Sequence, residues 1–326
     1  MVDVFLTVDT ELSFPLTPSW REKQLAFEID RDIHGRTADG DFGIGFQMEK
    51  LNQNGLKGIF FVEGLAGSAA GRKPLETIVA LVQEGGHEVQ LHLHTQWLPL
   101  METSPVGAKT GRHIRHFTRE EQARLLALAA SNLRACGAAP VRAFRAGSFG
   151  ANWDTLRALR DVGIEFDSSL NESAFGRSCE LQTPTPVTQP TVLEGVVEFP
   201  VTVFHVGGGL GTPRPLQICA CSFSEMKEAL EDAWRSGWRA VTIVSHGFEL
   251  VKRPGKAGEL GQRSRIRARR FEDLCCFLGA HRDRFRTCGF ADWNGAIANA
   301  APCAPLQVPV RKSAWRLVEQ AADRFV

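Results

Sequence analysis

Short apolar runs rich in β-branched and aromatic residues recur along this chain. Each gives way to a longer stretch whose apolar positions fall three and four apart. The runs at residues 2–8 (VDVFLTV), 58–64 (GIFFVEG), 87–94 (HEVQLHLH), 141–147 (VRAFRAG), 164–170 (IEFDSSL), 196–204 (VVEFPVTVF) and 239–247 (RAVTIVSHG) predict strands. Between them, FGIGFQMEKLNQNG predicts a helix stopping at Gly55, and PLETIVALVQEGG one with Pro74 in its first turn and Gly85–Gly86 at its end. In the segment 118–137, Thr118 and Glu121 form a capping box ahead of a long helix that ends at Gly137. Residues 152–163, 224–237 and 267–285 complete the helical series. The stretch from Leu12 to Gly43 is polar and Gly-bearing, and within it Arg31–Phe42 is a candidate lid. Strands alternating with helices imply an α/β fold, a parallel sheet with its helices outside and right-handed connections. No repeat or low-complexity linker divides the chain. One domain over residues 1–296 is therefore expected, followed by a tail, 297–326, packed on it.

Charge narrows the partners. Lys+Arg number 38 against 37 Asp+Glu, a formal net charge of +1, so no electrostatic footprint for nucleic acid is present. No apolar run reaches the ~18 residues that a membrane span needs. The opening MVDVFLTVDTEL carries Asp3 inside its apolar run and lacks a basic leader, so no signal peptide is read there and a cytoplasmic location is expected. Eight cysteines include none at C-x-x-C spacing, and most are expected as small buried hydrophobes. Tyrosine is absent, which removes one type of acid–base residue.

Ionisable residues gather where the predicted strands end, the place where parallel α/β folds assemble their chemistry. Asp9 and Glu11 end the first strand, His92 and His94 the third, Arg145 the next, Asp167 another, and His246 closes VTIVSH. His92 and His94 are two apart on a strand, so their imidazoles project to one face and can share a metal ion. Asp9 and Glu11 have the same spacing; one can ligate the ion while the other serves as general base. His87, at the far end of its strand, reads as structural. Trp20, Trp97 and Trp153 fall in loops or past strand ends, where an indole can stack on a sugar ring or simply pack.

The succession of an acidic strand end, G-H-E-V-Q-L-H-x-H, F-R-A-G-S-F-G, G-I-E-F-D-S-S, V-E-F-P-V and I-V-S-H resembles the polysaccharide deacetylase family. This is the NodB homology domain, or carbohydrate esterase family 4, and the likeness runs from Val4 to about Trp293. Its nearest branch in pattern is that of lipopolysaccharide and cell-surface glycan clusters. The resemblance implies a distorted (β/α) barrel that holds one divalent ion, usually zinc, and hydrolyses the acyl group from a sugar amine. On that reading Asp9 falls on the family's catalytic base, and Thr10 stands where the family has a metal-binding aspartate. Glu11, the nearest carboxylate, is assigned to the metal with His92 and His94, although the family spaces its two histidines four apart. Arg145 falls on the arginine that holds the base aspartate charged, and His246 on the general acid. Asp167 falls on a carboxylate that supports the histidine. The loop near Ser148–Phe149, altered from the family motif, falls on the oxyanion donor.

Amide hydrolysis suits these residue types. A zinc ion activates water and polarises the carbonyl, a carboxylate takes a proton and an imidazolium returns one to the departing nitrogen. With no export signal read, the expected substrate is an acetylated amino sugar on an intracellular glycan precursor. Two other classes remain open: a non-sugar C–N hydrolase of the same fold, similar to allantoinase-like or formyl-removing enzymes, and a glycan-binding protein without turnover. Metal content and product analysis separate them.

Overall fold

The computed structural model describes residues 1–13, 22–208, 212–252, 259–293 and 303–325. Its centre is a curled, mostly parallel sheet. The strands run in the order Ala240–His246, Val2–Thr10, Gly58–Glu63, Glu88–Leu93, Ala143–Ala146, Phe166–Asp167 and Val196–Glu198, with the antiparallel Thr191–Leu193 at the edge. Phe285–Thr287 pairs in parallel with the start of the first strand. Helices Ile44–Gln53, Arg72–Glu84, Arg119–Ala135, Trp153–Asp161, Phe223–Arg235 and Arg265–Ala280 lie between successive strands in the chain. The alternation predicted the parallel sheet with its outer helices, and their arrangement is the distorted (β/α) barrel that the family resemblance implied. The expected capping box forms, Thr118 with Glu121, and Asn152–Thr155 and Ser222–Glu225 form two more.

The period of two divides the first strand between two environments. Val4, Leu6 and Val8 join the large core under the helices, whereas Phe5 joins a separate inner cluster with Ile59, Phe61, Ala143, Phe166, Phe199 and Phe290. Phe5 and Phe199 rings lie 4.8 Å apart and Phe5 and Phe290 5.0 Å, so aromatic packing plugs the lower interior. Further along the same face come Thr7 and Asp9 on the first strand, His92 on the third and Arg145 on the fourth. The interior passes from aromatic to ionisable as the strands approach their carboxyl ends.

Two expectations are corrected. VVEFPVTVF is not one strand: Val196–Glu198 stays in the main sheet, and Val203–Val206 belongs to a small sheet with Arg214–Pro215 and Leu306–Val308. Pro200 stands between the two pieces and has no N–H for a ladder. The segment it releases closes the barrel wall by scattered bonds, Thr202 to Thr242 and Ile218 to Val244. The polar stretch after Leu12 is also more regular than expected. It contains helix Glu22–Asp32 and a hairpin of Arg36–Thr37 with Gly40–Asp41. Ile33 and Phe42 are buried, and a Cβ on Gly43 would meet the Ile33 carbonyl oxygen at 2.0 Å. The candidate lid is thus packed onto the barrel. After residue 303 the chain adds the strand Leu306–Val308 and the helix Val310–Phe325, tied to the body by Arg270–Glu319 at 2.6 Å. No helix of the described residues is long and apolar enough to cross a membrane.

Candidate active site

Strand register brings the expected groups together. Asp9 is the cross-strand partner of His246, Glu63 of His92, and His92 of Arg145. Gln47, from the helix after the hairpin, donates to the His246 carbonyl at 2.9 Å, and Gly247 N–H donates to that of Asp9 at 3.0 Å.

Glu11, His92 and His94 converge, with ligand atoms within 4.8 Å of one another. Glu11 Oε2 lies 2.8 Å from His92 Nε2 and 3.0 Å from His94 Nδ1. Two imidazoles and a carboxylate are the protein donor set of one class of catalytic zinc site, which leaves a position open for water or substrate. The residues therefore fit the implied ion. Burial would raise the Glu11 carboxyl, but the His94, His92 and His246 rings outweigh it and hold the group at about 2. Burial would likewise lower His94, yet Glu11, Glu63 and Asp9 push it up to about 9. Thr10 turns away, donating to the Val8 carbonyl.

Arg145 is fully buried and donates to Asp9 Oδ1 at 2.7 Å, Thr7 Oγ1 at 2.8 Å, Ser168 Oγ at 2.9 Å and the Ser168 carbonyl at 3.1 Å. Its guanidinium carbon stands 4.5 Å from the centre of the Phe61 ring, at the boundary of the aromatic plug. These contacts hold the guanidinium from several sides, and its bond to Oδ1 fixes one oxygen of Asp9. The other oxygen, Oδ2, lies 3.8 Å from His246 Nε2.

The carboxylate on the Nδ1 side of His246, where a supporting group was expected, is Glu249 and not Asp167. Glu249 Oε2 accepts the His246 backbone N–H at 3.1 Å and lies 3.8 Å from Nδ1. Its Oε1 accepts from Gln217 at 2.8 Å and from Cys219 N–H at 3.3 Å. Burial favours a neutral His246, but Glu249 first, then Asp9 and Glu11, raise it to about 9. Asp167 lies deeper in the sheet. It accepts from Ser169 Oγ at 2.6 Å and is the register partner of Glu198. Burial raises both carboxyls, Glu198 most, because two charges cannot share that apolar site. Asp167 reaches the site only indirectly, through Ser169, whose Oγ accepts the Ala146 N–H at 2.9 Å.

Three groups escaped the sequence reading. Glu63 ends a strand as the other site residues do, and the same rule would have found it. It accepts His94 N–H at 2.7 Å, lies 3.1 Å from Nδ1 and so orients that ring. Glu249 sits in a turn and Gln217 in an isolated bridge to Val244, and neither carried a pattern. Of the tryptophans, Trp97 is fully buried in the core, Trp153 is half-buried, and Trp20 lies outside the described residues. The Gly147–Phe149 turn holds Ser148 and Phe149 at φ 54° and 56°, a left-handed conformation uncommon for such residues. A Cβ on Gly147 would meet the His94 ring at 2.5 Å, so this close approach needs glycine.

The sequence matches no protein-family model and no curated protein. Solved structures do match. A protein of Mycobacterium smegmatis, provisionally assigned as a polysaccharide deacetylase, superposes with a TM-score of 0.51 at 17% identity, covering 89% of this chain and 87% of that one. The fold is that of the polysaccharide deacetylases. The 4-alpha-glucanotransferase of Thermococcus litoralis also superposes, with a TM-score of 0.53 at 11% identity, over 95% of this chain but only 42% of that protein. At these identities the likeness shows the fold alone, and activity has to be argued from the residues.

Proposed function

We propose that this protein is a metal-dependent hydrolase that removes an N-acyl group, acetyl in the simplest case, from an amino-sugar glycan precursor. The observation that supports this best is the meeting of three units at one barrel end: Glu11–His92–His94, Asp9 on Arg145, and His246 on Glu249. Glu11, His92 and His94 would hold the ion, which when bound would supply Lewis acidity to the amide carbonyl and lower the pKa of water toward about 7. Asp9, with Oδ1 fixed by Arg145, presents Oδ2 to take the proton from the attacking water. His246 stands across from that oxygen and, carrying its proton at neutral pH, delivers it from Nε2 to the departing nitrogen. Glu249 keeps the ring turned with Nε2 forward and stabilises its charge. Glu63 accepts the His94 backbone N–H and so fixes the strand end that carries this ring. Ser148 and Phe149 border the cleft where the sugar would lie.

The test is acetate release from N-acetylated amino sugars by zinc-loaded protein, alongside elemental analysis. Near one zinc per chain, acetate release, and loss of release in Asp9→Asn at unchanged zinc content are the expected results. A chain that binds zinc and amino sugars without releasing acetate would be a binding protein. Release from ureides or formamides but from no amino sugar would place it with the non-sugar C–N hydrolases.

A further inference from the structure

Beside the reaction centre lies a cleft of about 800 Å³. Two of its walls come from the site itself. Gln217, bound to Glu249 and 3.4 Å from His246 Nδ1, lines one side, and Ser148, next to the Gly147 that packs on His94, lines another. Asp9, Glu11, His92, His94 and His246 do not line the cleft themselves; Gln217 and Ser148 are the residues that join it to them.

The charges of this cleft are lopsided. Arg112, Arg177 and Arg214 line it against a single carboxylate, Glu172. Among the described residues Arg112 and Arg177 have no carboxylate partner; the Arg177 guanidinium donates to the Ser173 carbonyl. Both are exposed. Arg214 is held through Nη2 by Glu225 and by Ser313 Oγ, and its Nη1 is buried with no acceptor. His113, also in the wall, is 8% exposed, and its Nδ1 has no partner. Elsewhere Arg119 is paired with Asp161, Arg142 with Glu165 and Arg157 with Glu194, while Arg124, Arg134 and Arg282 donate to backbone carbonyls; what sets the cleft apart is that three arginines face it together. The chain as a whole is nearly neutral at +1, so the excess is local to the cleft. Guanidinium donors without acceptors suit planar, bidentate recognition of an oxyanion. A neutral sugar chain would leave them unanswered.

We propose that the substrate carries an anionic group, a phosphoryl or carboxylate substituent on the amino sugar, received by Arg112, Arg177 and Arg214 while the N-acyl group lies at the Glu11–His92–His94 centre. This deepens the hydrolase reading and rests on it. The anion anchors the sugar away from the reacting bond, so its binding energy serves to position the amide.

Zinc-loaded protein is assayed for acetate release with N-acetylglucosamine, its 1-phosphate and the corresponding uronate. The expected result is a kcat/KM at least about tenfold higher for one of the anionic sugars, equivalent to one charge-assisted contact. Which anion is preferred tells phosphoryl from carboxylate. The preference should fall with added salt and collapse toward one in the Arg112→Ala/Arg177→Ala double variant, with partial recovery in the double Lys variant. Equal kcat/KM for all three sugars in an active enzyme would overturn the proposal and leave the hydrolase reading standing. If no sugar is turned over, the hydrolase reading fails, and calorimetry with pyrophosphate decides the anion site separately. Saturable binding lost in the double variant sustains it; no binding by the wild type ends it.

Discussion

Two carboxylates two residues apart, Asp9 and Glu11, have different companions, and the companions set their roles. Asp9 is bound to a buried arginine and faces an imidazole at 3.8 Å, whereas Glu11 lies within 3.0 Å of two imidazoles. Glu11→Ala is accordingly expected to abolish zinc binding, while Asp9→Asn keeps the ion and lowers kcat by about 10²–10⁴-fold, the usual worth of a positioned base. Zinc content and single-turnover rates of the two variants check this, and the opposite pattern would exchange the roles. Glu249 acts on a second property. His246 must be protonated to serve as acid, and its raised pKa of about 9 keeps it so through neutral pH, with activity lost as pH rises past that value. Removing the Glu249 charge lets the proton leave earlier. In Glu249→Gln the alkaline limb of the kcat profile should therefore move to lower pH by about one pH unit. An unmoved limb would mean that another group provides the acid. Asp9, His92, Arg145 and His246 were legible in the sequence because each ends an apolar strand. Glu249 was not, because a turn residue gains its meaning only when the chain folds back on the histidine.

Strand ends and turns decide how firmly these groups are held. The Gly147 turn presses against His94 closely enough that a methyl group would meet the ring at 2.5 Å. Gly147→Ala should push His94 off its position and weaken zinc binding by about 10–100-fold, the scale on which supporting groups tune a metal site. A competition titration measures it, and an unchanged affinity would show that the ring does not ligate. Deeper in the sheet, Asp167 and Glu198 are register partners whose acidity is suppressed by burial, so the folded state keeps a proton that the unfolded chain releases. Both folded-state values lie above the unfolded ones. Their stability contribution is therefore complete below the unfolded carboxyl pKa, near pH 4.5 for Glu198, and is lost as pH rises through the folded values. Glu198→Gln removes that dependence. Its Tm relative to wild type should climb between pH 5 and pH 8, by about 2–4 °C if the effect is near 1 kcal/mol, and a constant difference would refute the retained proton. The element pattern itself was readable, since period-two runs and capping boxes act locally. The split at Pro200 was overlooked although its proline was in view, because an apolar run concealed a break in hydrogen bonding.

The barrel as a whole depends on a part of the chain that the sequence presented as a tail. Leu306 and Val308 are buried, and their strand lies in parallel beside Val203–Val206, the piece released from the main sheet at Pro200. Without that strand the buried ring of Phe204, paired in register with Leu306, would lose its cover. The following helix is joined inward by Ser313 and Glu319, while Val310, Trp315, Leu317 and Val318 are each more than half exposed. Nothing in the periodicity of residues 297–326 distinguished these two fates, because a three-residue strand is too short to show a period and its partner is about a hundred positions earlier. The distinction is testable by stability. Leu306→Ala empties a buried site between two strands and should cost about 2–5 kcal/mol, the range for burying and then removing such a side chain. Trp315→Ala removes a ring that is 57% exposed and makes one hydrogen bond, from Nε1 to Glu319 at 3.1 Å, so it should stay within about 0.5 kcal/mol of wild type. Urea midpoints at constant slope measure both. Equal and small effects would show that the segment after residue 303 rests on the barrel without holding it. A large loss confined to Leu306→Ala would make this strand a structural wall of the barrel, and with it of the arginine-lined cleft whose Arg214 is anchored to Ser313.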